Sequence, residues 1–184
     1  MNINIKLYII IIITLVALTV CNRMVENTLD PVEYENLISN YSFEKNDVAS
    51  IDGWQVETNV DSTIKFSDDV PHSGGRWSVV IMAADRVMAR LRTTVAASTG
   101  THVYRLTVWA KSKGKTGIVN FFLNKTIRKS ITILDTTWTL YQITDTLSTI
   151  DRDSLSVELD GGVTYGINET FFDLCRLEKQ SKKR

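Results

Sequence analysis

Tyr104-Arg105-Leu106-Thr107-Val108-Trp109-Ala110-Lys111 is the stretch that decides the fold class of this chain. Tyr104, Leu106, Val108 and Ala110 alternate with Arg105, Thr107, Trp109 and Lys111, the period of a strand with one buried and one open face. Moving outward, Val87, Ala89 and Leu91 alternate in the same way with Met88, Arg90 and Arg92. Trp77 to Ala83 is a nearly continuous apolar run of a length that fits a buried strand. Ile118–Leu123, Ile127–Leu134, Trp138–Thr144, Leu155–Leu159 and Phe171–Leu177 extend the series. Lys45-Asn46-Asp47, Lys113-Gly114-Lys115, Asn124-Lys125 and Asp160-Gly161-Gly162 supply the turns between them. No stretch keeps helical periodicity for three turns. Short strands at even spacing predict an all-β fold, a two-sheet antiparallel β-sandwich or jelly roll.

The N-terminus reads differently. Leu7 to Val20 is an uncharged apolar run of 14 residues preceded by Lys6. That is shorter than the ~20 residues of a spanning helix and fits the core of an export signal. Residues 1–20 are therefore expected to be a signal peptide. Leu18-Thr19-Val20-Cys21 resembles a bacterial lipobox, with Val20 bulkier than the usual Gly or Ala before the cysteine. The resemblance implies lipidation of Cys21. It also implies an exported protein of the bacterial cell envelope, held at a membrane by acyl chains without a spanning segment. Residues 21–35 read as a polar tether, 36–178 as the sandwich and 179–184 as a basic tail.

Composition excludes several classes. The 184 residues carry 21 Lys+Arg and 21 Asp+Glu, a formal net charge of zero, whereas a nucleic-acid grip needs clustered basic excess. No nucleic-acid partner is expected. Hydrophobic residues at 43% and charged residues at 23% belong to a folded domain rather than a disordered one. Two cysteines and two histidines cannot furnish a disulfide-dense scaffold or a Cys₄ zinc site. Asp151-Arg152-Asp153 opens like a calcium loop, but Ser156 and Gly162 stand where an EF-hand needs Gly and Glu. No nucleophile elbow, zincin, P-loop or dinucleotide motif occurs. Asp52, Glu57, Asp61, Glu158 and Glu169 are the carboxylates a glycosidase would have to draw on, and they are scattered among turns and strand ends. The expectation is a protein that is not an enzyme.

Six fragments in order carry a family resemblance. They are Asn36-Leu37-Ile38-Ser39-Asn40-Tyr41-Ser42-Phe43-Glu44, Gly53-Trp54, His72-Ser73-Gly74, the stretch from Tyr104 to Lys111, Thr137-Trp138-Thr139-Leu140-Tyr141 and Phe172-Asp173-Leu174-Cys175-Arg176-Leu177. Together they resemble galactose-binding-like jelly rolls, above all carbohydrate-binding modules of families four, nine and twenty-two. The resemblance covers Asn36 to about Glu178. It implies a carbohydrate partner, a poly- or oligosaccharide, and a structural calcium tying the first strands to the last. Carried onto this chain, the calcium ligands are Glu44 and Asp173, with oxygens near Asn46 and Ser73. Leu174 stands where the family has a second acidic or amide residue. The alternative is that Glu44 and Asp173 pair with Arg76, Arg176 or backbone donors. Cys175 takes the family's Val position and reads as a small buried hydrophobe, and a Cys21–Cys175 pair stays open if Cys21 carries no lipid.

A ligand is expected on the polar sheet face. Arg90 and Arg92 share a face by two-residue periodicity, as do Asn120, Phe122 and Asn124, and Trp109 falls with the polar set of its strand. Planar donors match paired sugar hydroxyls, and a ring covers apolar C–H patches. Arg90, Arg92, Trp109, Asn120 and Phe122 are the candidate ligand-binding residues. Trp54 and Trp138 are read as core or end-closing rings. The alternative function is a structural or protein-interaction domain of the envelope, with that face merely solvated.

Overall fold

The alternating stretches form the strands expected of them. The computed structural model describes residues 33–60, 63–85, 87–162 and 166–181. The signal segment 1–20, Cys21, most of the tether, Asp61 and residues 182–184 of the tail lie outside the described residues. In chain order the strands are β1 (Glu33–Asn36), β2 (Glu44–Lys45), β3 (Val48–Ala49), β4 (Gln55–Thr58), β5 (Ile64–Ser67), β6 (Ser78–Ala83) and β7 (Ala89–Ala96). They continue with β8 (Gly100–Lys113), β9 (Gly117–Leu123), β10 (Thr126–Ile133), β11 (Thr139–Thr149), β12 (Ser154–Asp160) and β13 (Asn168–Ser181).

Two sheets result. One runs β11-β8-β13-β6-β5 with β1 added beside β13, the other β10-β9-β12-β7-β4, and β2 and β3 make a separate hairpin. Every registered pairing between strands is antiparallel. Residues Tyr34–Gln180 constitute one compact unit. The chain is an all-β sandwich, as its alternation predicts.

The inward faces meet as the period of two requires. Tyr104, Leu106, Val108 and Ala110 from β8 are buried against Leu91 of β7, Val119 and Phe121 of β9 and Leu155, Val157 and Leu159 of β12. Burying one Leu, Val or Phe side chain in this way stabilises by ~1.5–3 kcal/mol. Cys175 joins the core, where burial pushes its thiol pKa up and the nearby Asp173 adds to the effect. An inert small hydrophobe is what that position holds.

Several elements differ from the sequence reading. The tether was expected to run to Glu35, yet Glu33–Asn36 is strand β1. The tail was expected to begin at Lys179, yet β13 continues to Ser181. Both extensions sit at the β1–β13 margin, where pairing with a neighbouring strand overrides a weak local pattern. Strands β4 and β5 were not anticipated, because their mostly exposed residues leave no apolar signature. Trp54 is buried as expected; its ring lies 5.2 Å from that of Phe43 and its Nε1 donates to the Asn40 carbonyl at 2.9 Å. Trp138 is not a core ring. It lies on the open side of β8 and β13, 4.9 Å beneath the Lys111 ammonium and edge-on to Phe171, and donates to Asp69 at 3.0 Å.

The β2–β3 hairpin turns through Asn46 and Asp47, at φ 54° and 62°. Two positive φ values in a two-residue loop define a type I′ turn, in which Asn-Gly is the favoured pair. Asp47→Gly removes a left-handed penalty of ~1–2 kcal/mol against glycine's chain-entropy cost of ~0.5–1 kcal/mol. A rise in melting temperature corresponding to about 0.5 kcal/mol is expected by calorimetry.

Candidate functional site

On the second sheet, β12 lies between β7 and β9, and its polar residues face out while Leu155, Val157 and Leu159 face in. Register then sets three rows across the sheet. One row is Gln55, Arg92, Glu158, Asn120 and Ser130; the next is Glu57, Arg90, Asp160, Ile118 and Thr132; Thr94, Ser156 and Phe122 form the third. Four of the five expected ligand residues, Arg90, Arg92, Asn120 and Phe122, therefore share the outward side of this sheet, but only the two arginines are open to solvent; Asn120 and Phe122, 8% and 7% exposed, are buried beneath their neighbours.

Glu158 is the centre of that face. It is 2% exposed although it points away from the core. Its Oε1 accepts from Asn120 Nδ2 at 2.9 Å and lies 4.0 Å from Arg90 Nε, while its Oε2 takes the Arg92 guanidinium. Arg90 Nε donates to Asp160 Oδ2 at 2.6 Å. Burial works against the Arg90 charge, but Asp160, Glu158 and Glu57 outweigh it and raise its pKa. Arg92 also faces Glu57 at 3.5 Å and lies 5.0 Å over the Phe122 ring. Ser130 donates to Asn120 Oδ1 at 2.6 Å, and Thr94 and Ser156 bond at 2.8 Å. The network fixes the rotamers of long side chains before any ligand arrives, which lowers the ordering cost of binding. Each guanidinium keeps roughly a third of its side chain open to solvent and retains donors for a ligand.

Glu158, Asp160 and Glu57 were not among the expected ligand residues. Their signal was present in the alternation of Ser156, Glu158 and Asp160 with Leu155, Val157 and Leu159, but acids at such positions read as solvated. Asp52, another of the carboxylates considered, is paired with Lys45 at 2.6 Å beside the β2–β3 hairpin. Trp109 requires a correction of place: it stands on β8, in the other sheet, across from Asp173 and Leu140. Alternation gave its polar side correctly, but alternation within a strand cannot say which sheet the strand joins.

Glu44 and Asp173, the pair that the resemblance names as calcium ligands, lie near one another beside Gly74 and Gly75. Asp173 is 0% exposed; its Oδ1 accepts from the Leu174 N–H at 2.7 Å and its Oδ2 is buried without a hydrogen-bond partner. Burial raises its pKa to about 7, the Leu174 bond opposes the shift and the Glu44 charge adds to it. Glu44 Oε1 accepts from the backbone N–H groups of Arg76 and Trp77. A Cβ on Gly74 would stand 2.4 Å from Asp173 Oδ2, and one on Gly75 2.4 Å from Glu44 Oε1. Two adjacent glycines thus let the loop close over both carboxylates. Neither acid pairs with an arginine side chain among the described residues. A buried carboxylate with a free oxygen beside a second carboxylate fits a hard cation such as calcium, with carbonyls and water completing its six to eight oxygens. No group of three or more His, Cys, Asp or Glu side chains converges among the described residues.

No protein-family profile and no curated protein matches the chain. Solved structures do match. The enzymatically active domain of bacteriophage CBA120 tailspike protein 4 superposes with a TM-score of 0.61 at 18% identity over 77% of this chain, which spans only 21% of the tailspike chain. The carbohydrate-binding module TmCBM61, solved with β-1,4-galactotriose, gives 0.57 at 18% identity over 78% of this chain and 97% of its own. A cyclase from Fischerella sp. TAU gives 0.61 at 14% identity over 83% of this chain and 100% of its own. Modules of family 16 and CBM4 are similar as well. This protein has the β-sandwich fold of carbohydrate-binding modules. The same fold carries enzymes, so function must come from the site.

Proposed function

We propose that this protein is a non-catalytic carbohydrate-binding module that holds a neutral poly- or oligosaccharide on the open face of β7, β12 and β9. The row Arg92–Glu158–Asn120, with Arg90 and Phe122 beside it, carries the reading. Planar donors fixed by buried acids present hydrogen bonds at set spacing to hydroxyl pairs, and the Arg92 guanidinium, held flat over the buried Phe122 ring, is the plane a sugar meets. Three carboxylates face two guanidiniums across this surface, so an anionic glycan would have to break existing ion pairs while a neutral one would not. Both oxygens of Glu158 are already engaged, which suits a supporting role better than proton transfer to a leaving group. The likeness in fold to modules solved with or named for carbohydrate supports the same reading.

We infer further that a structural calcium joins Glu44 to Asp173, and that lipid on Cys21 holds the exported module at the bacterial envelope. An envelope module so placed would keep a polysaccharide near the membrane. Mass spectrometry of the mature N-terminus tests export, with intact Met1 overturning it.

Affinity electrophoresis through gels cast with neutral polysaccharides tests the glycan site. Arg90→Ala is expected to weaken retardation about tenfold to a hundredfold, the ~1–3 kcal/mol of a lost charged hydrogen bond, and Phe122→Ala, which removes the buried ring that supports the Arg92 guanidinium, to weaken it as well. Wild-type retardation in both variants overturns the site.

A further inference from the structure

The outer face of the first sheet carries a depression of its own. Ser73, Thr107, Trp109, Leu140, Leu174 and Arg176 line about 230 Å³ there. Register explains the grouping. Leu140 on β11 is the partner of Trp109 on β8, and Thr107 is the partner of Arg176 on β13. The β8–β13 register shifts between Asp173 and Arg176, and Leu174 sits at φ 47°. Phe172 and Cys175 stay in the core, so the irregularity places Asp173 and Leu174, consecutive residues, outside it. A β-bulge re-aims side chains in this way, and here it brings Leu174 to the same wall as Trp109.

Arg176 is the unusual member. Arg90, Arg92 and Arg105 all meet carboxylates, Arg105 reaching Glu178 at 2.7 Å. Arg176 meets none among the described residues. Its guanidinium lies 4.5 Å over the Tyr41 ring, and its Nε is buried with no hydrogen-bond partner. Arg92 Nε is likewise buried without a partner, but Arg92 meets two carboxylates, so what sets Arg176 apart is a guanidinium beside the depression with no counter-charge among the described residues. The carboxylates of Asp173 and Glu44 do not line the depression.

We propose that this depression is a second carbohydrate subsite, for a single acidic sugar residue, a uronate. The carboxylate meets the Arg176 guanidinium, whose planar fork matches it in geometry and charge. The sugar ring lies on the Trp109 indole, and the hydroxyls of Thr107 and Ser73 receive the sugar's own. Its volume falls below the ~300–1,000 Å³ of sites that enclose drug-sized ligands, so it takes one ring rather than a chain. This goes beyond the neutral-glycan reading and uses none of its residues. A domain with both sites holds a neutral chain on one sheet and an acidic residue on the other.

Titration of the full-length protein with methyl glucuronide, methyl glucoside and a short glutamate peptide, followed by tryptophan fluorescence, tests it. The glucuronide is expected to give a saturable change that disappears in Trp109→Phe, and the glucoside none. Arg176→Met is expected to weaken the glucuronide about tenfold, the loss of one charged hydrogen-bonding group. Leu140 is 50% exposed on an edge strand, so Leu140→Asp leaves the fold intact and sets a competing carboxylate at the rim; it is expected to abolish the response even if Arg176→Met fails to fold. Equal response to glucoside and glucuronide, or wild-type affinity in Leu140→Asp, overturns the proposal. Tighter binding of the glutamate peptide than of the glucuronide also overturns it, in favour of an acidic protein partner. Loss of neutral-polysaccharide retardation bears on the other sheet alone, so the two readings fail separately.

Discussion

Glu158→Ala is expected to abolish polysaccharide retardation and to lower the melting temperature together. The residue is 2% exposed and holds Arg92 and Asn120 directly, with Arg90 at 4.0 Å. Removing it leaves guanidinium charge and an amide donor without their acceptor in a half-buried setting. Breaking a buried pair in this way costs ~3–5 kcal/mol; both arginines keep some water, so about 3 kcal/mol is expected. At ~2–4 °C per kcal/mol for a chain of this size, that is roughly 6–12 °C. Glu158→Gln retains an acceptor for Asn120 and should fall between the two. Differential scanning calorimetry and affinity electrophoresis on one preparation check both effects. If Glu158→Ala melts and binds as the wild type does, the network is not what organises the face.

Calcium is expected to stabilise the wild type and to do so more at pH 8 than at pH 5. Asp173 is held at a pKa of about 7 by burial and by Glu44, against 3.8 for the ordinary group. Without metal, the folded state keeps its proton between about pH 4 and 7 while the unfolded chain loses it. Stability under chelator therefore falls as pH rises through that window and levels off above it. A calcium ion bound at Asp173 would compete with that proton, so its contribution should grow as the proton leaves. At a hundredfold excess over Kd the gain is about 2.7 kcal/mol. Asp173→Asn removes both the titrating group and the cation's charge partner, and should make the melting temperature indifferent to calcium and nearly flat in pH. Coincident wild-type curves with calcium and with chelator at pH 8 would refute the site. Glycan retardation is expected to change little, since Glu44 and Asp173 do not belong to the β7–β12–β9 face.

Alternation determined the polarity of the long central strands, though not the short β1, β4 and β5. Leu106, Val108 and Ala110 are buried and Arg105, Thr107 and Trp109 are not, as a period of two demands. The ordered fragments around Glu44 and Asp173 likewise placed a carboxylate pair that the fold brings together across well over a hundred residues. Composition set the bounds within which those readings stood, a neutral chain with too few histidines and cysteines for metal chemistry of the softer kind. Other features belong to tertiary structure. That Arg90, Arg92, Asn120 and Phe122 meet on one face follows from β12 lying between β7 and β9, and no local pattern encodes which strands become neighbours. That Glu158 is a buried organiser rather than a solvated acid follows from the long side chains that fold over it. Trp109 shows the division most directly. Its side of the strand is local, fixed by backbone geometry, whereas its sheet and its neighbours Leu140 and Arg176 are set by long-range pairing, which only the folded chain decides.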